Sequence, residues 1–192
     1  MKIAERTLGN SVSASFVPAP VGRRAAAFLW DYLFIVLYLG VLRLAAFMFP
    51  LIRALFDQAT TAHLASFVLL TLPIASYFAV CEASSARGTF GKRITRIEVQ
   101  SGSGERLTFA TSVLRTTVKF APWELSHAAI WRYRFALRDA TQNRMASLLL
   151  MSAWVLIVSN LICVAMDKRR RTLYDFASQS TVVATTKVGG GC

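Results

Sequence analysis

Cysteine, histidine and acidic side chains are scarce in this sequence, and each scarcity removes a class of chemistry. The three cysteines, Cys81, Cys163 and Cys192, show no paired spacing, and two of them fall in apolar segments. Neither a disulfide framework nor a zinc site is expected from them. With only His63 and His127 present, the common hydrolytic constellations HExxH and GxSxG are absent. Glu124 and His127 form an ExxH pair on one helical face, which supplies two metal ligands at most. The chain is therefore not read as an enzyme, and no catalytic residue, cofactor or resident metal is expected. Asp and Glu number 10 against 22 Lys and Arg, a formal net charge of +12. Nucleic acid is not an expected partner, because the basic residues lie between apolar segments, outside any recognised reading module. Positive loops at a cytoplasmic membrane face account for that placement, with the bilayer's anionic lipid headgroups as counterions.

What the sequence does have is apolar length. Hydrophobic residues make up 55% of its 192 positions, and the mean hydropathy is +0.47, beyond an ordinary soluble domain. The first twenty residues contain no apolar run ahead of a small-residue cleavage site, so they read as a polar arm closed by Pro18 and Pro20 and not as a signal peptide. A first span runs from about 25 to 49, interrupted by Asp31 and Arg43, and Pro50 ends it. A nearly neutral loop follows, then a second span over about 63–81 whose Pro73 predicts a kink. Glu82 marks its cytoplasmic exit. The segment about 93–109 alternates around the turn run Ser101 to Gly104 and predicts a short cytoplasmic β-hairpin. GTFGKR looks like part of a phosphate loop but lacks its length and the Ser/Thr after the lysine. A polar helical stretch over about 108–131 carries Arg115, Lys119, Glu124 and His127, and either lies along the interface or is embedded among the spans. The last span, about 145–166, contains Asn160 and ends at the cluster Lys168 to Arg171, after which 180–186 reads as a strand that adds to the hairpin.

The fold class is an all-α membrane protein: three clear transmembrane helices, a polar fourth helix and the small hairpin. Its organisation is a polar arm over 1–22, one membrane domain over 23–187 and a flexible tail over 188–192. The four consecutive basic residues beside the last span favour four membrane-embedded helices in the cell inner membrane with both termini cytoplasmic.

The charge in the first span is the functional signal. An aspartate in hydrocarbon costs roughly 2.5–3.5 kcal/mol on insertion scales, so Asp31 needs a partner or a purpose. Arg24 is the nearest candidate, since seven residues advance a helix to within roughly 20° of two full turns. Arg115 and Lys119, with Glu124 and His127, recur at helical spacings, and a polar stripe of this kind faces Asp31.

With these pieces in order the chain resembles the RDD family of small integral membrane proteins. RRAAAFLWD supplies Arg24, Ala27 and Asp31; RGTFGKRITRIEVQSGSGERLT supplies Thr89, Gly91 and Lys92; RTLYDFASQSTVV supplies Asp175 and Thr181. Phe90 stands where the family commonly has proline and Tyr174 where histidine is frequent. The resemblance implies a membrane protein for which transport of unidentified ligands has been suggested, with some members linked to sodium/proton antiport. The expected function is transport of a cation or other small ligand, using the Arg24/Asp31 pair with Asp175, Arg115, Lys119, Glu124 and His127 as binding residues. The alternative is a non-transporting scaffold or accessory protein, whose Arg/Asp network is structural and whose basic face binds a partner or anionic lipid. A chain this small is expected to form a homo-oligomer or to use a membrane partner to enclose a path.

Overall fold

Pro20 cannot continue a helix toward its N-terminus, and its carbonyl accepts the amides of Arg23 and Arg24. Helix α1, Val21–Met48, starts there. In the computed structural model, which describes residues 17–135 and 140–185, it is followed by α2 (Pro50–Ala54) and α3 (Ala59–Ser66). A π-turn (Phe67–Thr71) then leads into α4 (Leu72–Ala83). Next come α5 (Phe90–Ile94), β1 (Ile97–Ser101), α6 (Phe109–Phe135), α7 (Ala140–Met166), α8 (Leu173–Ala177) and β2 (Ser180–Ala184). The polar arm through residue 16 and the tail over 188–192 lie outside the described residues.

Among the described residues, three helices are long and apolar enough to cross a membrane: Val21–Met48, Thr60–Ala83 and Asn143–Met166. At about 1.5 Å per residue each exceeds the roughly 30 Å hydrocarbon core. Only 11% of the most apolar window of the first and 6% of that of the last are buried within the chain. Leu37, Phe47, Leu161 and Met166 therefore point outward, and these two spans leave most of their apolar surface uncovered by the rest of the chain.

The kink expected at Pro73 takes the form of the π-turn one turn earlier. The Leu72 amide reaches back to the Phe67 carbonyl. Pro73 has no N–H to offer Leu69, and the Leu69 carbonyl accepts the Tyr38 hydroxyl at 2.6 Å instead. That bond ties α1 to the second span. Helix α6 runs antiparallel to α3–α4: the Ser112 hydroxyl donates to the Ala79 carbonyl near one end, and the Trp131 indole donates to Ser66 near the other. Tyr133 and Ser147 join α6 to α7 at 2.6 Å. Asn160 does not bridge two spans; its side-chain oxygen accepts the Leu173 amide at 3.1 Å and ties α7 to α8.

The small antiparallel sheet is present, but its strands are not a hairpin. β1 pairs with β2 in the register Ile97↔Ala184 to Ser101↔Ser180. The residues ahead of α1 join the far edge, with Ala19 donating to Val182 and Ala184 donating to Val17. The segment expected to return beside β1, 105–109, turns away. The Thr108 hydroxyl accepts the Thr111 amide and so commits the chain to the start of α6, whereas STVVA is richer in β-branched residues. Ala19, Ala27, Ile97, Val99, Leu107 and Val182 form a buried apolar cluster that fixes this sheet against α1. The sheet thus sits at the end of the bundle where α1 and α6 begin and α4 and α7 finish.

Candidate functional site

Arg24, Ala27 and Asp31 share one face of α1, and α5 packs on that face. The packing is backbone to backbone: a Cβ on Gly91 would stand 2.1 Å from the Ala27 carbonyl oxygen and 2.9 Å from an Asp31 carboxylate oxygen, so only glycine fits. The close approach lets the Gly91 amide donate to Asp31 at 2.9 Å while the Thr89 hydroxyl donates to its other oxygen at 2.6 Å. GTFGK therefore wraps a carboxylate belonging to the chain itself. Asp31 is 3% exposed, and among the described residues it has no ion-pair partner. The pairing expected between Arg24 and Asp31 is absent because Arg24 is drawn the other way. Its Nη1 lies 3.5 Å from Asp175 and donates to the Arg170 carbonyl at 2.6 Å, and its Nη2 donates to Val182 at 3.1 Å. Arg170 sits in the left-handed region, at φ 55°, with Asp167 holding the neighbouring Arg171 amide.

From Arg24 the ion pairs continue as a chain of alternating sign across five elements. Arg115 of α6 is at its centre, 1% exposed, between the fully buried carboxylates of Glu82 and Asp175. Its Nη1 donates to Glu82 and its Nη2 to Asp175 at 2.6 Å; its Nε also reaches Ser180 at 3.1 Å. Lys92 closes the far end on the other oxygen of Glu82. Arg24, Asp175, Arg115, Glu82 and Lys92 thus clip α1, α8, α6, α4 and α5 together. Asp175 is further held by the Thr172 amide within a capping box that starts α8. Burial alone would raise the Asp175 carboxyl, but Arg115, the Thr172 amide and Arg24 hold it below the usual carboxylate range. For Lys92, burial pulls the ammonium below its ordinary value against the opposing effect of Glu82.

Beside this chain lies a cavity of about 80 Å³. Arg24, Lys92, Arg115 and Lys119 contribute to its wall; Asp31 is the one carboxylate there, and Phe28, Phe78 and Tyr174 supply rings. The Lys119 ammonium stands 3.5 Å over the Phe78 ring and makes no ion pair among the described residues. The Tyr174 ring, in the place where histidine was noted as frequent, lies 4.8 Å from the Arg115 guanidinium carbon. Tyr174 thus presents a ring to a cation at this position.

The expected single polar stripe on α6 divides in two. Arg115 and Lys119 join the cavity, while Glu124, nine residues beyond Arg115 and so about 13.5 Å further along the helix, takes part in a separate cluster. Glu124 accepts the Thr71 hydroxyl and faces His63 at 3.7 Å and His127 at 3.5 Å. Among the described residues no group of three or more His, Cys, Asp or Glu is arranged to hold a metal ion. Thr181 lies in β2 opposite Gln100 and makes no side-chain hydrogen bond in the site; its neighbour Ser180 does. Sequence reasoning did not single out Glu82, Thr172 and Ser180 for the site. The available signal for Glu82 was that it is the one carboxylate between Asp57 and Glu98.

Three apolar helices of spanning length, a fourth packed along them and a buried alternating-charge chain at one end define a polytopic helical membrane protein. Within that class the chain belongs to the RDD family, whose model matches residues 18–179. Comparison with curated proteins and with solved structures gives no significant match.

Proposed function

We propose that this RDD family protein carries a small charged solute across the membrane, with the cavity beside the Arg24–Lys92 chain as the solute's binding place. The observation that carries this reading is the concentration of four cationic side chains and one engaged carboxylate on one small cavity. A purely structural network has no need of the Lys119 ammonium, which lies over the Phe78 ring and pairs with no carboxylate among the described residues. The resemblance to a family linked with transport points the same way. Helix α6 supports a four-helix crossing, because a helix lying flat in the interface would not meet the second span at both Ala79 and Ser66. On that topology both termini are cytoplasmic and the basic run Lys168 to Arg171 faces anionic headgroups of the inner membrane. One chain encloses little of a path, and the outward apolar faces of α1 and α7 suit association with a second copy or a membrane partner.

The second reading, a non-transporting accessory protein with a structural network, is favoured by one specific feature: the carboxylates of the chain are fully engaged, as buried ion pairs that only hold helices together would be. Ion flux into sealed vesicles separates the two. Wild type and Asp31→Asn are compared at matched protein abundance, with inorganic cations and anions supplied in turn. The carrier predicts flux above empty vesicles that Asp31→Asn reduces; equal flux in protein-containing and empty vesicles contradicts it. Topology has its own test in a Cys81→Ser/Cys163→Ser background, where Cys192 is expected to resist an impermeant thiol reagent in intact cells.

A further inference from the structure

We propose that the cavity selects a single small oxyanion, a carboxylate or phosphate group of one negative charge, bound between Lys119, Arg24 and Lys92. This rests on the reading of the cavity as the solute's place and names the chemistry it takes.

The sign of the site follows from its charges. Arg24, Lys92, Arg115 and Lys119 face the three carboxylates Asp31, Glu82 and Asp175, and of those three only Asp31 reaches the cavity wall. With Lys119 protonated, one positive charge is left over. A cation entering this space meets four like charges and a carboxylate whose two oxygens are already taken by Thr89 and Gly91. An anion meets a surplus ammonium instead. Lys119 carries that surplus: its contact is the face of Phe78, worth about 0.5–2 kcal/mol, far less than an ammonium needs when it leaves water without a counterion. Arg24 has a donor to spare as well, since its Nε is buried without a hydrogen-bond acceptor among the described residues.

Shape and chemistry narrow the class. A volume of about 80 Å³ holds a few waters or one small polyatomic ion. Guanidinium and ammonium groups set around one space match the several oxygens of a carboxylate or phosphate, with charge-assisted hydrogen bonds at both ends. Phe28, Phe78, Ile97 and Val182 line the remainder and leave little to solvate a second charge. The oxyanion can arrive free in solution or as the headgroup phosphate of a lipid, because the cavity lies at the end of the bundle where each of the three apolar helices has one of its ends.

The test is anion-dependent thermal unfolding of the full-length protein, delipidated in a non-ionic detergent. Sodium acetate and sodium phosphate are titrated at constant ionic strength, with sodium chloride making up the balance. The variants are Lys119→Gln, Lys119→Arg and, at the far end of α1's connection, Arg53→Gln. A saturable rise in melting temperature is expected for wild type, Lys119→Arg and Arg53→Gln, with apparent affinity at least tenfold weaker in Lys119→Gln. The lipid source is read separately by native mass spectrometry from nanodiscs of phosphatidylcholine with or without phosphatidylglycerol. Retention of one phosphatidylglycerol by wild type, lost in Lys119→Gln, assigns the oxyanion to a headgroup. If neither free anion nor lipid distinguishes wild type from Lys119→Gln, the oxyanion site is wrong. Cation flux that Asp31→Asn abolishes, with no anion binding, leaves the carrier and overturns the oxyanion; anion binding without flux does the reverse.

Discussion

Replacing Arg115 with methionine removes the centre of the alternating chain while keeping an unbranched side chain of similar length. Glu82 then keeps only Lys92, and Asp175 keeps Arg24 at 3.5 Å and the Thr172 amide. Both carboxylates stay buried. Breaking a buried ion pair from one side costs about 3–5 kcal/mol, and because each carboxylate retains a second partner the two losses should not double that figure. Against a total stability of about 5–15 kcal/mol this is a large fraction. For a chain of this size it corresponds to a fall in melting temperature of roughly 6–20 °C, readable by size-exclusion chromatography of detergent-solubilised protein after stepwise heating. The triple variant Arg115→Met/Glu82→Gln/Asp175→Asn should recover part of the loss, since replacing all the charged partners is milder than stranding two of them. An Arg115→Met protein that melts within 2 °C of wild type would refute the clip as a source of stability, that margin being well under the roughly 6 °C expected at the least.

Gly91→Ala places a methyl group 2.1 Å from the Ala27 carbonyl oxygen. Helices α1 and α5 must part, so a loss of about 1–3 kcal/mol and of the Asp31 amide bond is expected. Melting shows the first, and faster hydrogen exchange at the Gly91-equivalent amide shows the second. The folded Asp175 carboxyl titrates below its ordinary 3.8, so its contribution is present above about pH 4 and disappears as pH falls through the folded value. The stability difference between wild type and Asp175→Asn should therefore stay level from pH 7 to pH 5 and shrink below pH 4; a gap that closes between pH 7 and pH 5 contradicts the assignment.

The spans were legible because hydrocarbon length and proline boundaries are local properties of the chain, as at Pro20 and Pro50. So were most of the charged residues of the candidate site: Arg24, Asp31, Arg115 and Lys119 are conspicuous in or near apolar stretches, and Asp175 came from the resemblance to the RDD family. Pairing was not legible. Helical geometry puts Arg24 and Asp31 on one face, but it carries no record of a carboxylate from α8 arriving closer to Arg24, or of a glycine amide satisfying Asp31. Glu82 was read as a boundary marker because an acid at the end of an apolar run looks the same whether it faces headgroups or Arg115. The strand pairing was half legible: the tail strand was expected to join the strand at 97–101 and does, while the expected return over 105–109 is not made. Alternation over 105–109 identifies a possible strand, whereas the partner of β1 lies some eighty residues away in β2, and periodicity holds no information about that distance.

Solute entry into sealed vesicles tests most directly whether the cavity beside Arg24 and Lys92 is where the solute sits. Wild type, Lys119→Gln and Arg53→Gln are reconstituted at equal abundance, with labelled acetate, phosphate and sodium offered in turn. Uptake of an oxyanion is expected for wild type and Arg53→Gln, reduced at least tenfold in Lys119→Gln. Uptake that is equal in all three proteins, or no greater than in empty vesicles for every ion, would contradict it.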